Sequence, residues 1–314
     1  MSHTQFTKIE LQNGVYVSLA NYGVIRATGA DAKSFLHAQL TQDVQNLSDA
    51  ETKLAGYCSA KGRLYAIFQM YIQGEDVYLI THRSVLEIVI KRLRMFVLRA
   101  KVVLDDVSDS LPIIGFCAPS ALSAGTKLVD GDVVRLGLLP AVIDGVRYAR
   151  ELRVGVAGVV NDALAADVNA WEWLEIMAGV PHVQAANSEA FVPQMVNLDR
   201  IGGVNFKKGC YPGQEIVARS HYLGKLKRRM QSAVLEWTDD QPQLTIGTDV
   251  YSSQDATQPA GQIVAVAANP ISPNTSHVLY EVSLPMVEGD ATLSAQGVHA
   301  IWQKAALPYA LSDA

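Results

Sequence analysis

Cysteine is scarce in this chain. Three residues in 314, Cys58, Cys117 and Cys210, lie too far apart for a disulfide framework or a CxxC zinc pattern. Long apolar runs are missing as well, none approaching the roughly 18 to 20 residues needed to span a bilayer. The opening Met-Ser-His-Thr-Gln-Phe-Thr-Lys lacks the apolar core of a signal peptide. A cytoplasmic chain with no membrane partner is therefore expected. His37, His82 and His221 offer no ligand pair on one helical face, so no metal site is expected. There is no low-complexity tract and no short-period repeat, which excludes a solenoid. What remains is 49% hydrophobic and 18% charged, the balance of an ordered globular protein long enough for two or three domains.

The net charge of -5 hides an internal division. Residues 83 to 101 hold six Lys or Arg against Glu87, and residues 207 to 229 hold seven against Glu215. Half the positive charge thus occupies two short segments, which would form a basic site on an acidic protein if the fold brings them together.

Hydrophobic periodicity reads as α+β. Strands are expected at Val15–Ala20, Val24–Ala27, Leu54–Cys58, Leu64–Ile72 and Val77–Thr81, with Asp31 capping a short helix. Ser84-Val85-Leu86-Glu87 reads as a capping box opening a helix to about Arg99, with Leu86, Val89, Ile90, Leu93 and Val97 as its buried stripe. Further strands are expected at Lys101–Leu104, Ile113–Phe116, Val133–Leu138, Val146–Leu152 and Val154–Val160. A helix around Asn169–Ala178 follows, stopped by Gly179 and Pro181. Beyond Arg229, short strands between turn-rich pieces predict a small antiparallel barrel.

The richest chemistry lies in Lys207-Lys208-Gly209-Cys210-Tyr211-Pro212-Gly213-Gln214-Glu215-Ile216-Val217-Ala218-Arg219. Tyr211-Pro212-Gly213 suits a type II turn, because Pro presets the first corner and Gly accepts positive φ at the second. Gln214 to Arg219 reads as a helix with Glu215 at its start and Arg219 at its end, as the macrodipole favours. The Cys210 thiol would then precede a helix N-terminus beside Lys207 and Lys208, surroundings that favour a thiolate. His221 is close enough in sequence to influence it. Cys58 and Cys117, in apolar strand-like contexts, read as core thiols.

With the preceding Leu198 to Phe206, this stretch resembles the signature of the YgfZ-type folate-binding proteins, in the superfamily of the glycine-cleavage T protein, an aminomethyltransferase. Thr28-Gly29-Ala30-Asp31, Gln39 to Val44, Lys61-Gly62-Arg63, Ala185 to Ser188, Phe191 to Gln194 and Leu307-Pro308-Tyr309 resemble the family in the expected order. The resemblance implies a T protein-like α+β fold around a central opening, with a C-terminal antiparallel β-barrel. Residues 1–230 would form the folate-binding region, as subdomains of about 1–45 with 135–230, and 46–134. Residues 231–314 would form the barrel.

By the same resemblance the ligand is tetrahydrofolate, with or without a polyglutamate tail. Tyr22 and Trp171 would line its site, Lys207, Lys208 and Arg219 would supply cations, and Gly209, Tyr211, Gly213, Gln214 and Glu215 would shape the motif. Cys210 would be the functional thiol. Two departures bear on activity. Tyr65 and Ala66 stand where T proteins carry an acidic pair, which argues against aminomethyl transfer and leaves enzyme status open. Met177 stands where the family's helix end usually has Glu, so the carboxylate able to pair with the pterin edge is missing there, and Glu175 faces another side of the helix. The leading expectation is a tetrahydrofolate-binding accessory protein supporting iron-sulfur cluster assembly or repair, and through it enzymes that modify tRNA. Its partners would be iron-sulfur proteins or assembly factors. The alternative is a folate-dependent one-carbon transferase, and direct tRNA binding ranks third.

Overall fold

The computed structural model describes residues 7–311 apart from 120, 156–164, 223–225, 238–242, 288–290, 296–297 and 299. The chain begins with α1 (Lys8–Asn13), β1 (Val15–Ser18), β2 (Tyr22–Thr28) and α2 (Ala32–His37). It continues through β3 (Thr52–Cys58), β4 (Leu64–Gln73), β5 (Asp76–His82), α3 (Arg83–Met95) and β6 (Val103–Asp106). Next come β7 (Ile113–Ala118), β8 (Lys127–Asp130), β9 (Val133–Ile143), β10 (Val146–Val154), β11 (Ala165–Ala166), α4 (Val168–Met177) and α5 (Gln214–Tyr222). The last strands are β12 (Arg228–Glu236), β13 (Asp249–Ser252), β14 (Gly261–Ala268), β15 (Thr275–Ser283), β16 (Leu293–Ala295) and β17 (Ile301–Ala305).

Three sheets organise these elements. One has the order β11-β1-β7-β10-β9-β8, a second β3-β4-β5-β2-β6, and the third β16-β13-β14-β15-β12-β17. The third is antiparallel throughout and curls into a nearly closed C-terminal barrel. Sheet membership draws the inner pieces differently from the sequence reading: β2 joins the strands of 52–106, while β7 and β8 join β1, β9 and β10. As domain bounds we propose 231–314 for the barrel and 1–230 for the rest, the latter built on the other two sheets.

Local chemistry explains the helices that matter. The Asp167 carboxylate accepts from the N–H of Ala170 at 3.1 Å, starting α4, which buries Trp171, Trp173, Leu174 and Ile176. Asn169 fastens α4 to β14 by donating to Ala268 O at 3.0 Å and accepting from Ala268 N at 2.9 Å. At the other end Gly179 turns at φ +65°, and the Tyr309 hydroxyl donates to its carbonyl at 2.7 Å. Leu307-Pro308-Tyr309 therefore closes the C-terminus over the α4 stop.

Two expected caps form differently. The Ser84–Glu87 box is not made: His82 caps α3, its Nδ1 accepting from Ser84 N at 3.2 Å, while Ser84 Oγ accepts from Ala185 N at 3.1 Å. The helix stops at Met95, short of Arg99. Asp31 makes no side-chain cap, because its carboxylate accepts from Lys101 N at 2.7 Å and ties the helix start to the next strand connection. Of the strand expected at Val154–Val160, Val154 ends β10, and residues 156–160 lie outside those described.

Candidate functional site

A cavity of about 370 Å³ opens between the first two sheets. Leu138, Leu139, Arg150 and Leu152 reach it from β9 and β10, and Thr52, Leu54, Ile67, Gln69, Ile80 and His82 from β3, β4 and β5. The end of α4 and the following turn add Glu175, Pro181 and His182, and Tyr22 closes one side. Its size and its apolar wall with a few polar groups are those of a small-molecule site.

The polar groups converge. Arg150 is fully buried, just after a register irregularity between Tyr148 and Arg150 that re-aims the strand. Its Nε donates to Leu139 O at 2.9 Å, and Nη1 lies 2.9 Å from Glu175 Oε1. The other carboxylate oxygen, Oε2, is 3.8 Å from His182 Nε2, and the Tyr22 hydroxyl is 3.4 Å from His182 Nδ1. Tyr22 stands opposite His82 in the β2–β5 ladder. Burial first, then the Glu175 charge, hold the Tyr22 hydroxyl well above the ordinary tyrosine range. Burial lowers the histidines, His82 to about 4, so both imidazoles are neutral at pH 7. Arg150 Nη2 and His182 Nε2 are buried with no hydrogen-bond partner among the described residues. Such atoms in a cavity wall are what a polar-edged ligand would satisfy.

Several expected site residues lie elsewhere. Trp171 is fully buried behind the wall, packed so closely on Gly115 that a Cβ there would overlap the indole. Its Nε1 faces the Tyr22 hydroxyl outside hydrogen-bond geometry, so it backs the aromatic wall rather than forming it. Lys207, Lys208 and Arg219 do not line the cavity. Three cations of the basic segment are spent inside the protein, Lys208 Nζ donating to His37 O and Leu40 O, Arg228 pairing with Glu281 and Arg229 with Asp199, while Lys207, Arg219 and Lys227 are exposed. Met177 packs against the core, whereas Glu175, read from sequence as a poor substitute, faces the cavity. Residues 175 and 177 do point to different sides, but the helix is rotated so that 175 looks inward. Tyr65 and Ala66 are buried beside Tyr57, with Arg92 over the Tyr65 ring at 4.0 Å, and place no carboxylate in the cavity.

The Lys207–Arg219 stretch forms a second region. Gln214 N donates to Tyr211 O at 3.2 Å across Pro212-Gly213, and Gly213 has φ +79°, closing the turn before α5. A Cβ at Gly213 would meet Gly62 Cα and Ser59 O at 2.5 Å, so Lys61-Gly62-Arg63 packs directly under the turn. Tyr211 is buried beneath Lys208, whose Nζ is 4.9 Å from the ring centre, while Gly209 and Cys210 are exposed. Glu215 and Arg219 lie on the exposed side of α5, and Gln214 is half-buried at its start. His221 stacks on Phe206 at 3.7 Å between ring centres. Among the described residues, no cluster of three His, Cys, Asp or Glu side chains is arranged to hold a metal ion, and no helix is long and apolar enough to cross a membrane.

Two sheets enclosing a central cavity, an α-helical stop at its edge and a C-terminal barrel define the fold of the glycine-cleavage T proteins. The glycine cleavage system aminomethyltransferase T from Bartonella henselae superposes with a TM-score of 0.69 over 98% of this chain and 88% of that one, at 12% identity. No protein-family model matches. The chain is 33% identical over 229 residues, 68% of its length and 69% of the relative's, to the tRNA-modifying protein YgfZ of Klebsiella pneumoniae (strain 342). It belongs to the YgfZ family.

Proposed function

We propose that the protein binds tetrahydrofolate in the central cavity and acts as an accessory factor for iron-sulfur enzymes, including those that modify tRNA, with Cys210 as its functional thiol. The observation that carries the folate reading is Glu175 at the cavity wall. A reduced pterin is flat, with N–H donors along its pyrimidine edge, and a carboxylate pairs with two of them. Arg150 orients Glu175 through Oε1, leaving Oε2 for a donor, and Tyr22 offers an aromatic face. Lys53 in the wall, with Arg83 held against Tyr22 O at 3.1 Å, would supply cations for the glutamate tail. The tRNA connection comes from the name of the Klebsiella relative. A single thiol supplies one bond to an iron-sulfur cluster, so cluster handling would need a partner or a small thiol alongside Cys210.

Calorimetric titration with tetrahydrofolate tests the first half. Binding is expected, and Glu175→Gln should weaken it about tenfold or more, the loss of one charge-assisted contact. Absence of binding to the wild-type protein overturns the reading. Turnover with aminomethylated lipoyl protein separates the transferase alternative, which the burial of Tyr65 and Ala66 disfavours. For the second half, Cys210→Ser should bind folate normally yet fail to restore iron-sulfur enzyme activity in cells lacking the protein.

A further inference from the structure

The loop that carries Cys210 is packed against a histidine 173 positions earlier in the chain. His37 ends α2, and its Nε2 lies 3.7 Å from the place a Cβ would occupy on Gly209, the residue before the thiol. Its other nitrogen, Nδ1, is 3.1 Å from Asp43 Oδ1. Asp43 is itself fixed, accepting from Asn46 N at 3.1 Å and Asn46 Nδ2 at 2.8 Å. Lys208 bolts the two segments together by donating to the carbonyls of His37 and Leu40. Both imidazole and carboxylate are largely shielded from solvent, while Cys210, the residue after Gly209, is exposed.

The Asp43 carboxylate, 3.1 Å from Nδ1 though not aligned as a hydrogen bond, favours by its charge the tautomer with the proton on Nδ1, which leaves Nε2 as an acceptor. Burial, with the neighbouring Lys208 charge, lowers the His37 pKa, so the ring is neutral and able to take a proton at pH 7. Asp43 opposes that shift, and Lys208 interacts with both Asp43 and Cys210. These are the charged and titratable groups that face the ring.

We propose that His37, oriented by Asp43, is the proton acceptor for Cys210, making the exposed thiol one end of a Cys–His–Asp relay with Lys208 as its electrostatic and structural brace. When an electrophile is captured, the S–H bond breaks, the proton passes to His37 Nε2, and the sulfur electron pair forms the new bond as the leaving group departs. Asp43 is a positioning residue, since it acts through the ring. The proposal rests on the reading of Cys210 as the functional thiol.

The test is the rate of capture of Cys210 by iodoacetamide, followed by peptide mass spectrometry from pH 6 to 9. A free thiol is already a few per cent ionised at pH 7, so loss of its base slows capture by at most about thirtyfold. His37→Gln should slow capture at pH 7 on the order of tenfold and shift the pH profile upward, and Asp43→Asn should give a smaller change in the same direction. Imidazole added to His37→Ala should restore part of the rate and leave the wild type unaffected. Continued protection of the buried Cys58 and Cys117 reports that each variant is folded. Should the His37 variants expose those thiols, Asp43→Asn decides alone. Capture at the wild-type rate and pH midpoint in His37→Gln, or in a folded Asp43→Asn where the His37 variants fail, overturns the relay. Full rescue of cells by Cys210→Ser would instead end the functional reading and leave the capture rates to judge the relay separately.

Discussion

The cavity and the thiol loop are built in opposite ways. In the cavity the chemistry is buried: Arg150 and Glu175 are shielded, paired across strand and helix, and surrounded by imidazoles that burial keeps neutral. At the loop the thiol is outside and the neighbouring polar groups are inside, with Cys210 exposed and Lys208, His37 and Asp43 shielded. The first arrangement suits a ligand that is desolvated and held. The second suits a sulfur that must meet something large. A molecule that needs both has reason to keep them on different faces of the same segment order, and α4 to α5 is the stretch of chain that links them.

The sharpest contrast is between thiols. Burial pushes Cys58 and Cys117 from the ordinary 9.0 up to about 12, which leaves about a thousandfold less thiolate at neutral pH, before their lack of access is counted. Cys210, exposed where the other two are buried, should be alkylated far faster than either in the native protein. Comparable rates for the three, read by peptide mapping, would erase the distinction between loop and interior.

A second test attacks the cavity. Arg150→Met leaves the Glu175 carboxylate buried without its partner, which typically costs roughly 3–5 kcal/mol. Denaturant unfolding should show that loss, and the double variant Arg150→Met with Glu175→Leu should recover much of it while losing tetrahydrofolate binding. Cys210 capture should be unchanged in the double variant, because nothing in the loop touches the pair. A double variant that still binds folate would show that the buried pair serves stability and not recognition.

These two regions were not equally legible in the sequence. The turn at Tyr211-Pro212-Gly213 is set within four residues, so its type and the helix behind it could be read directly. The cavity depends on pairings no local pattern encodes: Arg150 arrives through the β9–β10 ladder, Tyr22 through its pairing with His82, and His182 from 160 positions beyond Tyr22. Trp171 is expected in the wall by family resemblance alone, because α4 is apolar on most of its circumference and periodicity does not say which side meets ligand. The same ambiguity hid Glu175. The basic run from 207 to 229 is expected to join 83 to 101 in a basic site if the fold brings them together, yet alternation along β12 turns Arg229 into the interior and its neighbour Arg228 toward Glu281. His37 carried no signal at all, since its partner thiol lies in a distant segment.

The smallest expected effect is a pH dependence that differs between the cavity and the barrel. His82 and His277 are both lowered to about 4, chiefly by burial, and both use Nδ1 as an acceptor. His82 accepts from Ser84 N at 3.2 Å at the cavity edge, and His277 accepts from Trp173 Nε1 at 2.9 Å where β15 meets α4. In the unfolded chain each would titrate near the ordinary 6.5. Between 6.5 and about 4 the unfolded chain binds protons that the native protein does not, so stability falls as the pH drops through that window and levels off below it. Replacing either histidine with Gln should flatten the curve there, measured as the difference in unfolding free energy from wild type at pH 7 and pH 5. Only His82→Gln should also alter the pH dependence of tetrahydrofolate binding, because His277 does not line the cavity. If His277→Gln changes ligand binding as much as His82→Gln does, the barrel and the cavity titrate as one unit and the separation between them is not energetic.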